Sequence, residues 1–443
     1  MVKIPRISPE SGRGKPLVSW LLLLLVLLSL VAVVPSTAAE PLRNAPVIWY
    51  ADDRQPIPVP AFAEPGLVPC ASQAFVAGPV SRFFRPSRLV RKLDDGYAGR
   101  PAGDVNSLGE VINSTWFTNR IGLYPLDPAE VARGPGQPEG PDRSRPWEII
   151  GAKVGGVTPG FRIRDGRGDV WLLKFDPPDY PGMSTRSGVV SNLLFHAMGY
   201  NTPVDRVVFF TLDDLRVGEG ATMRLPRAGK VPLTEANLES VLRDSNCREG
   251  DHYVALASKF LAGKPLGPFR TQGRRADDPN DRIRHENRRT LRALRVFAAW
   301  LNHFDTKMHN SLDMYVGEPG SGYVEHNLID FASTLGTFGA TPVKRFGYEY
   351  GIDAGNVVGR LMTLGLVEDG WVCLERPEGL PEVGYFDVET FDPTGWEPDI
   401  PHSAMANLNR LDGYWAAKVL AQFTEAQIRA AVEQGRYQDP RAV

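Results

Sequence analysis

The stretch Asn302-His303-Phe304-Asp305-Thr306-Lys307-Met308-His309-Asn310, followed by Leu328-Ile329-Asp330-Phe331, decides how this chain is read. Asp305, Asn310 five residues on, and Asp330 after an apolar pair set three oxygen-bearing side chains at a chemically meaningful spacing. Phosphoryl transfer needs a carboxylate that orients the attacking hydroxyl and two oxygen ligands that hold magnesium on nucleotide phosphates. His303, Asp305, Lys307 and Asn310 fill the form H-x-D-x-K-x-x-N, and a strand ending in Asp330-Phe331 supplies the remaining ligand.

Two plainer readings compete. A hydrogen-bonded polar turn would need no ligand at all. Zinc on His303 and His309 would need a third tight donor, and Glu325-His326 is the nearby candidate. Asp330-Phe331, arriving independently after a hydrophobic strand, favours phosphoryl transfer over both. Ala332 follows where a glycine is usual, which stiffens the loop without altering the ligand atoms.

The 443 residues, 42% hydrophobic and 23% charged, suffice for one large core or two moderate ones. A net charge of −2, with arginines spread among acids, argues against nucleic acid as a partner. At the N-terminus, Lys3, Arg6, Arg13 and Lys15 precede the apolar run 17–34, and Ser36-Thr37-Ala38-Ala39 ends in small residues. This predicts a signal peptide over 1–39 and an exported, periplasmic or extracellular protein. The alternative is a membrane anchor formed by 17–34, since that run approaches bilayer-spanning length. Three cysteines, Cys70, Cys247 and Cys373, are too few for a disulfide framework.

Residues 40–145 are rich in proline, as in Pro56-Ile57-Pro58-Val59-Pro60, and read as irregular backbone. Trp116, Phe117, Tyr124 and Leu126 indicate an extension that packs on the core, against the alternative of a free linker. From Trp147, a strand enters a turn carrying Gly155, Gly156 and Gly160, where backbone amides can approach phosphate oxygens. Val170–Phe175 is a strand with Lys174 embedded in it; the lysine either lies on a wet face or meets a negative partner. Ser187–Met198 has helical spacing and ends at Gly199, ahead of the strand 206–211.

This order of glycine turn, lysine-bearing strand, helix and strand, with the loop at Asn302–Asn310, resembles the atypical protein-kinase-like families. The HipA-like, CotH-like and secretory-pathway kinases share the scheme, and the resemblance spans Trp147 to Gly339. It implies an α+β, bilobal protein-kinase-like fold with ATP and Mg between the lobes. Lys174, Gly155, Gly156 and Gly160 would bind the nucleotide, Asp305, Lys307 and His303 would form the catalytic set, and Asn310 and Asp330 would hold the metal. The family's lysine pairs with a helix glutamate, but residues 184–198 contain no acid. Lys174 must therefore find another carboxylate, such as Asp176 or Asp179, or the site is degenerate.

On this reading residues 146–228 form a β-rich N-lobe and 229–443 a helical C-lobe. Leu233–Arg243 reads as an amphipathic helix, Tyr253–Leu261 as the start of the helical lobe, and Asp281 as the cap of a helix 282–302. Asn356–Leu366, Met405–Leu420 and Glu425–Gln434 are further helices, and 368–401 a wandering surface segment. The expected activity is phosphoryl transfer from ATP to a hydroxyl on a protein or small molecule. The alternatives are a pseudokinase scaffold and an envelope binding protein.

Overall fold

The computed structural model describes residues 45–64 and 100–443, apart from 138, 154–157, 178, 226–228, 246–247, 340, 352–353, 365, 367–368 and 387–390. The signal or anchor segment, Gly155, Gly156, Cys70 and Cys247 lie outside the described residues. Cys373 is an exposed free thiol. No helix among the described residues is long and apolar enough to cross a membrane.

The first described segments lie on the rest of the chain. Ile57 is buried with Leu266, Tyr315 and Val324, and Asp53 accepts from the Thr115 amide and hydroxyl, both at 2.9 Å. Val111, Trp116, Phe117 and Ile121 belong to the largest apolar core. Helix α1 (Pro128–Arg133) starts from Asp127, whose carboxylate and the Glu130 side chain form a reciprocal cap.

Alternating apolar residues then make β1 (Trp147–Ala152), β2 (Gly160–Arg164) and β3 (Val170–Lys174), joined antiparallel. Helix α2 (Met183–Met198) follows, apolar or small almost all round, with every residue except His196 buried. Next come β4 (Asp205–Phe210), β5 (Leu215–Val217), β6 (Thr222–Leu225), β7 (Gly229–Pro232), helix α3 (Glu235–Ser245), β8 (Arg248–Glu249) and β9 (His252–Lys259). The main sheet runs β4-β9-β3-β2-β1-β5, with β8 on β9 and only β1–β5 parallel.

Tyr253–Leu261 is thus not the start of a helical lobe: it supplies β9, a strand inside the sheet between β3 and β4. Its two faces enter different cores, Val254 and Leu256 on one side, Tyr253, Ala255 and Ala257 on the other. A strand covered on both faces is apolar continuously, so its periodicity does not distinguish it from a buried helix.

The other half holds β10 (Lys264–Pro265), helix α4 (Arg289–Trp300), β11 (Ser311–Val316), β12 (Tyr323–Leu328) and helices α5 (Ala354–Met362), α6 (Arg410–Leu420) and α7 (Glu425–Glu433). Strands β10-β11-β12 form a small sheet. The expected helix 282–302 begins only at Arg289, and Asp281 is not its cap. Asp281 instead accepts from the Arg275 amide (2.6 Å), His285 Nε2 (2.8 Å) and Arg288 (2.9 Å). The cap comes from far upstream: Asp104 accepts from the Arg289 amide (2.5 Å), the Thr290 amide (3.1 Å) and the Thr290 hydroxyl (2.9 Å).

The segment 368–401 does not stay on the surface, since Trp396 is fully buried and Leu380 and Glu382 are nearly so. Glu382 meets Arg186 at 2.6 Å, and Arg186 also binds Glu249 and the carbonyls of Gly435 and Arg436. The expected helix 405–420 is broken: a 3-10 turn at Met405–Asn407 precedes α6, which Asn409 caps. Helix α7 has its Thr424–Gln427 capping box as expected.

Candidate active site

The loop after α4 is shaped by a residue in the left-handed region. Asn302 has φ 46°; its amide donates to the Phe346 carbonyl at 3.2 Å and its oxygen accepts from the Trp396 indole at 3.0 Å. Asparagine tolerates this conformation better than most residues, and the two bonds fix it. His303 then turns inward. Its ring lies between Phe195 and Phe331, each centroid 5.4 Å away, and Nδ1 is 3.1 Å from the Ser333 carbonyl. Burial pushes its pKa below the ordinary histidine value, against the pull of Asp305, so the ring is neutral and Nδ1 donates to Ser333.

Asp305 follows with one carboxylate oxygen on Lys307 Nζ at 2.8 Å and the other, Oδ1, buried without a partner. Asn310 donates from its amide nitrogen to the Asp305 carbonyl at 2.7 Å, closing the loop. Its own carbonyl accepts from Ile329 at 3.0 Å. That bond and the pairing of β11 with β12 bring residue 330 to the same place, because the two strands begin and end there.

Asp330 has φ 61°, a conformation that costs a non-glycine residue energy and recurs at functional sites. Oδ1 accepts from Lys174 Nζ at 2.9 Å, with the carboxylate 46% exposed in the cleft and the lysine 13%. Lys174 therefore pairs with Asp330, and neither Asp176 nor Asp179 is its partner. Loss of hydration pushes the Asp330 carboxyl up, but Lys174, Lys153 and Lys307 outweigh it and hold the group below its ordinary value. Behind it, Gly188 of α2 lies against Ala332: a Cβ at 188 would stand 3.3 Å from the Ala332 Cα. One turn apart on α2, Ser187 and Ser191 meet the hydroxyls of Thr337 (3.1 Å) and Thr334 (2.9 Å). The helix that lacks an acid thus grips the Asp330 segment through small residues.

Between the sheet and the helical half lies an open cleft of about 700 Å³ lined by Lys153, Thr158, Lys174, Asp176, Ser184, Thr185, Leu256, Asp305, Lys307, Asp330 and Phe338, among others. Four expected site residues, Lys174, Asp305, Lys307 and Asp330, meet there. His303 and Asn310 do not line it; they lie behind the loop, around a smaller cavity with Thr306 and Met308. Gly160 is in β2 opposite Lys174, where an added Cβ would meet the Leu173 carbonyl oxygen at 2.1 Å, so strand packing requires the glycine.

Sequence reading missed Lys153, Thr158, Ser184 and Thr185, and offered Asp176 only as a partner for Lys174. Asp176 accepts from the amides of Ser184 and Thr185 at 3.1 Å each and so satisfies the start of α2; burial pushes its carboxyl up to about 6. An aspartate eight residues before serine on a helix is a weak cap signal, because the intervening loop hides the geometry. Asp205 on β4 is also buried, accepts from Asn192 of α2 at 3.1 Å, and is pushed up to about 6 by burial, with Lys174 pulling the other way.

Among the described residues no group of three or more His, Cys, Asp or Glu is placed to hold a metal ion. Two histidines of the zinc reading have other partners: His326 Nδ1 is on Asp313 at 2.6 Å and His303 is on Ser333. A magnesium site of the nucleotide type needs fewer protein ligands, since phosphates and water complete it. Asp330 offers the cleft a carboxylate oxygen not held by Lys174, whereas Asn310, its nitrogen committed to the Asp305 carbonyl, lies behind the loop and does not line the cleft.

No family model matches the chain, and no curated protein does. Among solved structures, the crystal structure of the Golgi casein kinase with Mn/ADP bound aligns over 64% of this chain and 74% of that one, at 10% identity and a TM-score of 0.25. A TM-score of that size does not establish a shared fold.

Proposed function

We propose that the protein is an exported phosphotransferase that moves the γ-phosphoryl group of ATP to a hydroxyl of a protein or small molecule. The observation that carries this reading is the convergence of Lys174 with Asp330 and of Asp305 with Lys307 in one cleft, from positions 131 residues apart in sequence for Lys174 and Asp305. On this reading β9 belongs with the sheet side of the cleft, since it pairs with β3 and β4.

Each residue has a task that follows from its placement. Lys174 leaves Asp330 to bind nucleotide phosphate oxygens, where an ammonium gains a stronger anionic partner. Asp305 takes the acceptor hydroxyl on Oδ1, the buried oxygen that now lacks a donor, and receives its proton as the new O–P bond forms. Lys307 steadies the transferring phosphoryl group. Asp330 would hold magnesium, with phosphate oxygens and water completing its shell, and the ion when bound supplies charge neutralisation on the phosphates. His303 positions: it fixes Ser333 and packs on Phe331, and does not line the cleft.

A second reading, nucleotide binding without turnover, is favoured by the missing acid in α2 and by the closed Lys174–Asp330 pair. Calorimetric titration with ATP and magnesium, with Asp330→Ala alongside, tests the site. Magnesium-dependent binding that the variant loses supports it, and no binding at millimolar nucleotide sinks it. Phosphoryl transfer that falls about 10²- to 10⁴-fold in Asp305→Asn separates turnover from binding alone.

A further inference from the structure

The cleft holds three lysines where the loop-and-strand pattern calls for two. Lys174 and Lys307 each have a carboxylate at hydrogen-bond distance. Lys153, at the end of β1, does not: its ammonium donates to the Thr158 carbonyl (2.8 Å) and hydroxyl (2.9 Å), and among the described residues no acid pairs with it. It is half-buried in the roof of the cleft, and its charge reaches Asp330 across it. Desolvation and the neighbouring Lys174 both weaken its hold on its proton. A part-buried ammonium without an acid is costly unless an anion completes it.

A second feature of the same cleft points the same way. The Ser184 hydroxyl, 3% exposed and without a hydrogen-bond partner, lines it from the first turn of the 16-residue helix α2. With the first amides of α2 already taken by Asp176, this orphan hydroxyl is the group there left to meet a phosphate oxygen.

We infer that Lys153 is a second polyphosphate-binding residue, held by Thr158 until ligand enters, and that it makes the cleft favour a nucleoside triphosphate over the di- and monophosphate. This rests on the nucleotide-binding reading above. Resting on Thr158 keeps the side chain extended toward the cleft at little entropic cost, and exchanging two neutral acceptors for phosphate oxygens strengthens both bonds.

The test is titration of the full chain with ATP, ADP and AMP in magnesium at several salt concentrations, for wild type, Lys153→Gln and Lys153→Arg. Glutamine keeps a donor for Thr158, and matching thermal midpoints confirm that the variants are folded. The expected result is a loss of about 10- to 100-fold in ATP affinity in Lys153→Gln, a smaller loss for ADP and none for AMP, with a shallower salt dependence. Lys153→Arg should recover most of the loss. Equal ATP affinity in wild type and Lys153→Gln overturns the inference while leaving the nucleotide site standing. Absence of ATP binding in wild type overturns both.

Discussion

Replacing Asp104 by alanine removes the cap of α4, the helix that leads into the loop 302–310. Asp104 is 2% exposed and accepts three hydrogen bonds from Arg289 and Thr290. An N-cap is worth about 0.5–2 kcal/mol, and each buried donor left unsatisfied costs about 1–3 kcal/mol. Two amides and a hydroxyl lose their acceptor together, and water entering the space left by the carboxylate recovers part of the loss. The expected cost is about 3–5 kcal/mol, a large share of the about 5–15 kcal/mol typical of a folded domain. Urea unfolding should show a lower midpoint at unchanged slope. Hydrogen exchange should accelerate first at the amides of Arg289 and Thr290. Asp104→Asn, which retains one acceptor oxygen, should lose about half as much. A loss below about 1 kcal/mol, or exchange that accelerates elsewhere and not in the first turn of α4, would refute the assignment of this cap.

Three further outcomes follow from particular contacts. The Asp205 carboxyl, at about 6 when folded and near 3.9 when unfolded, holds its proton more tightly in the folded state. Its contribution is full below pH 4 and is lost as pH rises through about 6, by about 3 kcal/mol, so Asp205→Asn should flatten urea stability between pH 4 and pH 7; an unchanged profile counts against it. Gly188→Val drives methyl groups into Ala332, which should cost about 1–3 kcal/mol of stability and weaken magnesium-dependent nucleotide binding further than stability alone predicts, as titration of the folded variant would show. Arg186→Met leaves Glu249 and Glu382 facing each other without their shared cation; thermal unfolding should report a loss of about 3–5 kcal/mol, and near-wild-type stability would show that these glutamates do not depend on the arginine.

The sequence alone determined the polar loop 302–310, the lysine strand, the helix after it and the capped final helix. In each, the signal is local: Thr424 and Gln427 three residues apart make a cap, and Asp305 and Asn310 share one turn whose geometry their spacing sets. What only the tertiary structure decided is every contact between distant residues. The partner of Lys174 is Asp330, 156 positions away; the cap of α4 is Asp104, 185 positions away. No periodicity encodes such pairs, since they depend on how the sheet and the helices are stacked. β9 was hidden for a related reason: covered on both faces along 253–257, it is apolar continuously there, and only its neighbours β3 and β4 make it a strand. Lys153 likewise resembles any lysine at a strand end until folding places it in the roof of the cleft, where Thr158 and, among the described residues, no acid holds it.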